Sequence, residues 1–109
     1  MRLSKKDFVE LLKAPLITQI RLKDSIAKAQ KGAILLDVRF PAEYKYDALP
    51  KAMNVPLNEL RANLHQLDKS KEYICYCQTG RSSSAAAFIL IGYGYHVLVL
   101  EGGTRLGRV

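Results

Sequence analysis

Two cysteines separated by a single residue are the most reactive feature of the sequence. Cys75 lies inside an apolar and aromatic run, whereas Cys77 ends that run and is followed by a polar segment. Along an extended strand the two are too close for an ordinary structural disulfide, and two cysteines are too few for a metal site. The spacing therefore predicts two free thiols in a reducing compartment, with Cys75 in the core and Cys77 available for chemistry.

The segment that follows Cys77 can stabilise a negative charge. Residues 78–82 join a predicted buried strand to a predicted helix, and ligands bind at this position in open parallel sheets. A short curled loop can point successive backbone N–H groups at the cysteine sulfur, and the positive end of the helix adds to the field. The sequence predicts a cysteine with a lowered pKa in an anion-binding cradle, built from the residues Gln78, Thr79, Gly80, Arg81 and Ser82. Gly80 permits the unusual backbone angles of the curl, and Ser82 and Ser83 offer hydroxyl donors.

The elements that must position this loop alternate between helix and strand along the chain. Apolar patterning predicts helices at 4–13, 23–30, 41–46, 58–67 and 82–93, and strands or β-rich stretches at 16–22, 33–38, 53–55, 73–76 and 96–100. The continuous apolar runs among the strands are typical of parallel sheets. We therefore predict an α/β fold of three layers, with helices on both faces of a parallel sheet joined by right-handed crossovers.

Length and charge restrict the function classes. The chain has 109 residues, of which 49% are hydrophobic, so we expect one domain with an N-terminal helix (1–15), a core (16–103) and a short tail (104–109). The net charge of +7 is concentrated in residues 1–31, which carry +5, without interleaved aromatic residues or a nucleic-acid motif. The sequence has no membrane-length apolar run and no secretory signal at its start. We therefore expect a cytoplasmic protein that binds neither nucleic acid nor membrane.

Four segments, in order, resemble the motifs of rhodanese domains. The active-site loop of that family resembles residues 73–83, and its earlier motif resembles Leu36-Asp37-Val38-Arg39 with Pro41, Glu43 and Tyr44. Residues 49–56 resemble the stretch that follows, and residues 97–103 resemble the last strand and its turn. Together they cover about residues 33–103. The N-terminal helix and the loop also resemble rhodanese modules fused to cyclic-nucleotide-binding regulators.

The resemblance implies both a fold and a reaction. It implies a five-stranded parallel sheet, with Cys77 as the nucleophile at the base of a six-residue loop. The thiolate would take the outer sulfur of thiosulfate or another sulfane donor and hold it as a persulfide until a thiol or cyanide accepts it. That chemistry requires no cofactor and no metal. Its partners would be a small anionic sulfur donor, a thiol acceptor and, in some settings, a sulfur-accepting protein.

The sequence departs from the family pattern at several positions. Ser82 stands where many members have a second Arg, Lys51 replaces a Gly, and the Trp that commonly follows the final Gly-Gly is missing. If the replaced glycine has positive φ, Lys51 is strained. Ser83, Asp37 and Arg39 are secondary candidates for supporting roles, although charges at a strand end more often form a structural pair.

Two alternative functions remain open from the sequence. A cysteine phosphatase would place an Arg six residues after the cysteine to clamp phosphate, where this chain has Ser83. A non-catalytic module of a larger protein, regulatory or sensing sulfur or redox state, would keep the same shell.

Overall fold

The computed structural model describes residues 17–104, and within them strands and helices alternate. The elements, in chain order, are β1 (Gln19–Ile20), α1 (Leu22–Gln30), β2 (Ile34–Asp37), α2 (Pro41–Asp47), β3 (Met53–Asn54), two 3₁₀ helices (Leu57–Glu59 and Arg61–Gln66), β4 (Glu72–Tyr76), α3 (Arg81–Gly92) and β5 (His96–Leu100). The predicted N-terminal helix and the tail beyond Thr104 lie outside the described residues. Each remaining predicted strand and helix except 58–67 appears in the structure, with boundaries that differ from the predicted ones by at most three residues.

The five strands form one sheet in the order β1-β5-β4-β2-β3, and every neighbouring pair is parallel. Strand β4 is central, because Cys75 pairs with Leu36 of β2 on one side and with Val99 of β5 on the other. The predicted α/β class and five-stranded parallel sheet are confirmed. All the carboxyl ends lie at one edge, where the loop after β4 begins.

Helices cover both faces of the sheet, as the patterning predicts. On one face Leu35, Ile74 and Leu100 form a core with Leu22 of α1 and Tyr44 of α2. On the other face the core contains the strand residues Leu36, Cys75 and Val99, the α3 residues Ala86, Ala87 and Leu90, and Leu60 and Leu67 of the 3₁₀ region. Successive residues of β4 therefore alternate between two cores, which explains why the strand is apolar or aromatic from Tyr73 to Tyr76.

The α-helix predicted over residues 58–67 is wrong. The segment forms two short 3₁₀ helices, and Asn63 has non-helical angles of φ −114° and ψ 15°. The Asn63 side-chain amide donates to the carbonyl of Glu59 at 2.8 Å, an alternative to the helical backbone bond. Leu60 and Leu67 are nonetheless buried, at 0% and 4% exposure, as their common spacing predicts. The spacing of the leucines therefore predicts which side chains are buried, but the backbone follows a tighter 3₁₀ path that Asn63 permits.

Lys51 has a backbone conformation that ordinary side chains rarely adopt. Its φ is +61°, and it is the one residue other than glycine with positive φ between residues 17 and 104. It lies in a turn in which the Ala52 amide donates to the Leu49 carbonyl at 3.1 Å. The strain predicted at this position is confirmed, and it costs about 1 kcal/mol relative to glycine.

The helices of the described region are short. None of those within residues 17–104 has the length and apolar character needed to cross a bilayer.

Candidate active site

Cys77 lies immediately after β4, at the carboxyl edge of the sheet. The chain turns through residues 78–80 and enters α3 at Arg81, with Gly80 as the N-cap residue. Gly80 has φ +98°, a value that glycine adopts readily and other residues do not. The glycine therefore allows the tight turn that brings the first turn of α3 back over the cysteine sulfur.

Three hydrogen-bonding groups surround Sγ of Cys77. The Gly80 amide donates to the sulfur at 3.0 Å, and the Ser83 amide donates at 3.4 Å. The Ser83 hydroxyl oxygen lies 3.4 Å from the sulfur, and that side chain is completely buried. Because amides and hydroxyls stabilise a thiolate more than a thiol, this arrangement favours the ionised cysteine.

The two cysteines are in opposite electrostatic situations. Burial alone would raise the pKa of Cys77, but the Ser83 hydroxyl and amide, with the amides of Gly80 and Thr79, outweigh it and lower the pKa below its ordinary value. Burial, together with the neighbouring charge of Cys77, raises the pKa of Cys75 to about 12. Both cysteines are free thiols. Cys77 is therefore the more easily ionised of the two thiols, and Cys75 is a core residue.

The residues of the predicted loop, 78–82, hold different positions around the sulfur. Of that set, Gly80 donates directly to the sulfur and the Thr79 amide contributes to the lowered pKa. Gln78 and Ser82 instead line the space in front of the sulfur. Arg81 is exposed on the first turn of α3 and is not among the groups that lower the pKa of Cys77. Backbone amides and a buried hydroxyl are the groups that lower the pKa of Cys77, and a part for Arg81 in binding an anion stays a prediction.

Asp37 and Arg39 form a buried ion pair beside the site. The guanidinium donates to both Asp37 carboxylate oxygens at 2.9–3.1 Å, and the Arg39 amide donates to Asp37 Oδ1 at 2.9 Å. Arg39 also donates to Asp47 at 2.8 Å. The hydrogen bonds to Asp37, and then those to Asp47, raise the pKa of Arg39 above its ordinary value. As expected for charges at a strand end, Asp37 and Arg39 form a structural ion pair. The Arg39 guanidinium is bound by two carboxylates.

The turn after β5 packs directly against the cysteine loop. The Thr104 amide donates to the Cys77 carbonyl at 3.0 Å. A side chain at Gly103 would place its Cβ 2.5 Å from the same carbonyl oxygen, and Gly103 has φ +69°. Only glycine permits this approach, so the two consecutive glycines support the loop in addition to ending the strand.

A cavity of about 400 Å³ opens in front of the sulfur. Its wall combines apolar, amide and hydroxyl groups with two charged side chains, and consists of Val38, Arg39, Phe40, Glu43, Leu57, Asn58, Cys77, Gln78, Thr79 and Ser82. Phe40 at its rim is 66% exposed. The cavity gives a small molecule access to a cysteine whose residue is otherwise 4% exposed.

Sequence reasoning underestimated Ser83 and missed the wall formed by Phe40, Leu57 and Asn58. Ser83 follows the loop by one residue, and its position in the first turn of a helix that caps the sulfur is the signal that could have identified it. No local signal marks the wall residues, because they reach the site from other strand ends. Within residues 17–104, His, Cys, Asp and Glu side chains do not gather in groups of three or more that could hold a metal ion.

Comparisons with known proteins agree with this geometry. The model of the rhodanese-like domain matches residues 18–106. The chain is 30% identical over 83 residues to the thiosulfate sulfurtransferase GlpE of Pseudomonas syringae, covering 75% of this chain and 78% of that protein. It is also 30% identical over 87 residues to the putative sulfurtransferase YtwF of Bacillus subtilis, covering 80% and 84% of the two chains.

Solved structures give the same result. A rhodanese-related protein of Thermoplasma volcanium superposes with a TM-score of 0.75 at 30% identity, covering 82% of this chain and 88% of that one. The reduced CoADR-RHD of Bacillus anthracis superposes with a TM-score of 0.79 at 31% identity, covering 83% of this chain and 16% of that longer chain. The chain therefore belongs to the rhodanese-like domain family, and its relatives support sulfur transfer as its general class of activity.

Proposed function

We propose that this chain is a sulfurtransferase of the thiosulfate type that carries sulfur as a persulfide on Cys77. The observation that carries the proposal is the convergence of the Gly80 amide and the Ser83 amide and hydroxyl on Sγ, at 3.0–3.4 Å. The two amides donate to the sulfur, and the neighbouring Ser83 hydroxyl also lowers the pKa of Cys77. Gln78, Thr79 and Ser82 line the adjoining cavity that would receive the transferred sulfur.

The reaction proceeds in two displacement steps. The Cys77 thiolate attacks the outer sulfur of thiosulfate, the sulfur–sulfur bond breaks towards the sulfonate, and sulfite leaves with the electron pair. The sulfane sulfur remains on Cys77. An acceptor thiolate, or cyanide, then attacks that sulfur and releases the Cys77 thiolate, so that no oxidant or reductant is consumed. This is covalent catalysis, for which double-displacement kinetics are expected.

A cytoplasmic location suits this chemistry, because a reducing compartment keeps both thiols free and supplies small thiol acceptors. A sulfur-accepting protein is a further acceptor compatible with the proposal. A phosphatase reaction lacks support, because the residue six positions after Cys77 is Ser83 and not the arginine that would clamp phosphate. The Ser83 hydroxyl lies between the sulfur and the Gly80 carbonyl.

Mass spectrometry after treatment with thiosulfate tests the proposal. Cys77 should gain the mass of one sulfur atom, and cyanide should then remove it as thiocyanate over many turnovers. Cys77→Ser should gain nothing, whereas Cys75→Ser should gain sulfur normally because Cys75 is a buried, protonated thiol. Failure of Cys77 to gain sulfur would refute the proposal. Sulfur gain without turnover onto any acceptor would favour a non-catalytic sulfur sensor.

A further inference from the structure

The cavity in front of Cys77 is larger than an inorganic sulfur donor requires. Liquid water occupies about 30 Å³ per molecule, so a volume of about 400 Å³ has room for about a dozen non-hydrogen atoms. Val38, Phe40 and Leu57 give part of its wall an apolar character. The cavity therefore has space and hydrocarbon surface for the body of an organic molecule.

The two charged side chains at the wall differ in how fully they are paired. Arg39 and Glu43 are the two charged side chains that line the cavity. Arg39 is ion-paired with Asp37 and Asp47, at 2.9 and 2.8 Å, and its side chain is 5% exposed. Within residues 17–104, no Lys, Arg or His forms an ion pair with Glu43, which is half-buried. Among the described residues, the charge at the wall that has no charged partner is therefore negative, despite the positive net charge of the chain.

A second feature of the wall also attracts cations. Phe40 precedes α2, which carries Glu43 in its first turn, so one short segment supplies both residues to the cavity wall. Aromatic faces attract ammonium groups, by about 0.5–1 kcal/mol at exposed sites. A ligand with an ammonium group would therefore contact favourable groups here, while its sulfur faces Cys77.

We propose that Glu43 determines acceptor specificity, and that the favoured acceptor is a small organic thiol that carries an ammonium group. The inference rests on the proposed sulfur transfer by Cys77. The acceptor thiol first loses its proton to solvent, and its thiolate attacks the outer sulfur of the protonated Cys77 persulfide. The bond between Sγ and the outer sulfur breaks with its electron pair on Sγ. The products are the acceptor persulfide and the Cys77 thiolate, and Glu43 holds the ammonium group during the attack.

Cysteamine and 2-mercaptoethanol form a matched pair of probes, because they differ in an ammonium against a hydroxyl group. The full chain is loaded with sulfur, and the loss of the persulfide mass is followed against the concentration of each thiol. Glu43→Gln should lower the cysteamine to 2-mercaptoethanol ratio of second-order rate constants about three- to fivefold, as expected for a partly exposed ion pair. The loss should appear in the half-saturating cysteamine concentration, while the limiting rate is retained.

Glu59→Gln is the control, because it removes the same unit of charge at a residue that is exposed and does not line the cavity. This variant should change the ratio by less than about 1.5-fold, since exposed charges outside the site are screened. An unchanged ratio in Glu43→Gln, or an equal change in Glu59→Gln, overturns the specificity inference while leaving sulfur transfer intact. If neither thiosulfate nor cysteine persulfide loads Cys77, sulfur transfer itself is refuted and the inference with it.

Discussion

Replacing Ser83 with alanine isolates the contribution of one hydroxyl to the reactivity of Cys77. Alanine retains the Ser83 amide, which donates to the sulfur at 3.4 Å, and removes only the hydroxyl, also at 3.4 Å. A hydrogen bond to a charged group contributes roughly 1.5–3 kcal/mol, and we place this long contact at the low end. One pKa unit corresponds to about 1.4 kcal/mol, so the pKa of Cys77 should rise by about one unit.

The structure provides a matched control at the next residue. In the structure the Ser83 hydroxyl donates to the Gly80 carbonyl at 3.1 Å, and that carbonyl accepts further bonds from the Ser84 amide at 3.1 Å and hydroxyl at 2.7 Å. The Ser83 hydroxyl proton can therefore turn to the sulfur when Cys77 ionises. Ser83→Ala therefore leaves the carbonyl satisfied. Ser84→Ala removes a hydroxyl from the same carbonyl without touching the sulfur, so it should leave the pKa of Cys77 unchanged.

The assay is the rate of alkylation by iodoacetamide as a function of pH, with the Cys77 and Cys75 peptides quantified separately. The midpoint of the Cys77 profile should move up by about one pH unit in Ser83→Ala. Below both midpoints the variant should react about threefold more slowly, because a tenfold loss of thiolate is partly offset by the greater nucleophilicity of a more basic sulfur. An unmoved midpoint, or an equal shift in Ser84→Ala, would refute the role assigned to the hydroxyl.

Three further substitutions test the surroundings of the site by urea unfolding. Gly103→Ala should lower the free energy of unfolding by about 2–4 kcal/mol and slow Cys77 alkylation, because the new Cβ would meet the Cys77 carbonyl. Gly32→Ala is the control: Gly32 also has positive φ, +111°, but open space around it, so the free energy of unfolding should fall by only about 1 kcal/mol. Arg39→Met should cost about 3–5 kcal/mol by leaving the buried Asp37 carboxylate without its partner; a loss under 1 kcal/mol would contradict this. Lys51→Gly should raise the free energy of unfolding by about 0.5–1 kcal/mol, since it relieves the φ of +61°, and a decrease would mean that no strain is stored there.

The sheet could be predicted from the sequence because its strands carry uninterrupted apolar patterns. The central positions of strands β2 and β4 are buried on both faces and carry apolar side chains. The two charged exceptions lie at strand ends and are ion-paired, Asp37 with Arg39 and Glu72 with Lys28. The helix type of residues 58–67 could not be predicted in this way. A 3₁₀ path and an α-helix bury the same leucines, so the apolar spacing alone does not distinguish them.

The reactive cysteine could also be predicted, whereas the direction of each donor could not. The strand–loop–helix position of Cys77 indicates a cradle, but which amides reach the sulfur depends on the φ of Gly80 and the first turn of α3. The contributions of Gly103 and Phe40 depend on contacts between segments distant in sequence. Such contacts follow from strand order, which local patterns do not encode.

The contact between Thr104 and the Cys77 carbonyl has a consequence for biosynthesis. The cysteine loop is completed by residues that leave the ribosome after it, once β5 has paired with β4 and delivered the two glycines. We expect the Cys77 loop to be less ordered until then, so that a nascent or partly unfolded chain carries a thiol with a more ordinary pKa. Early capture of sulfane sulfur should then be limited, and the onset of fast alkylation at neutral pH should coincide with the completion of folding.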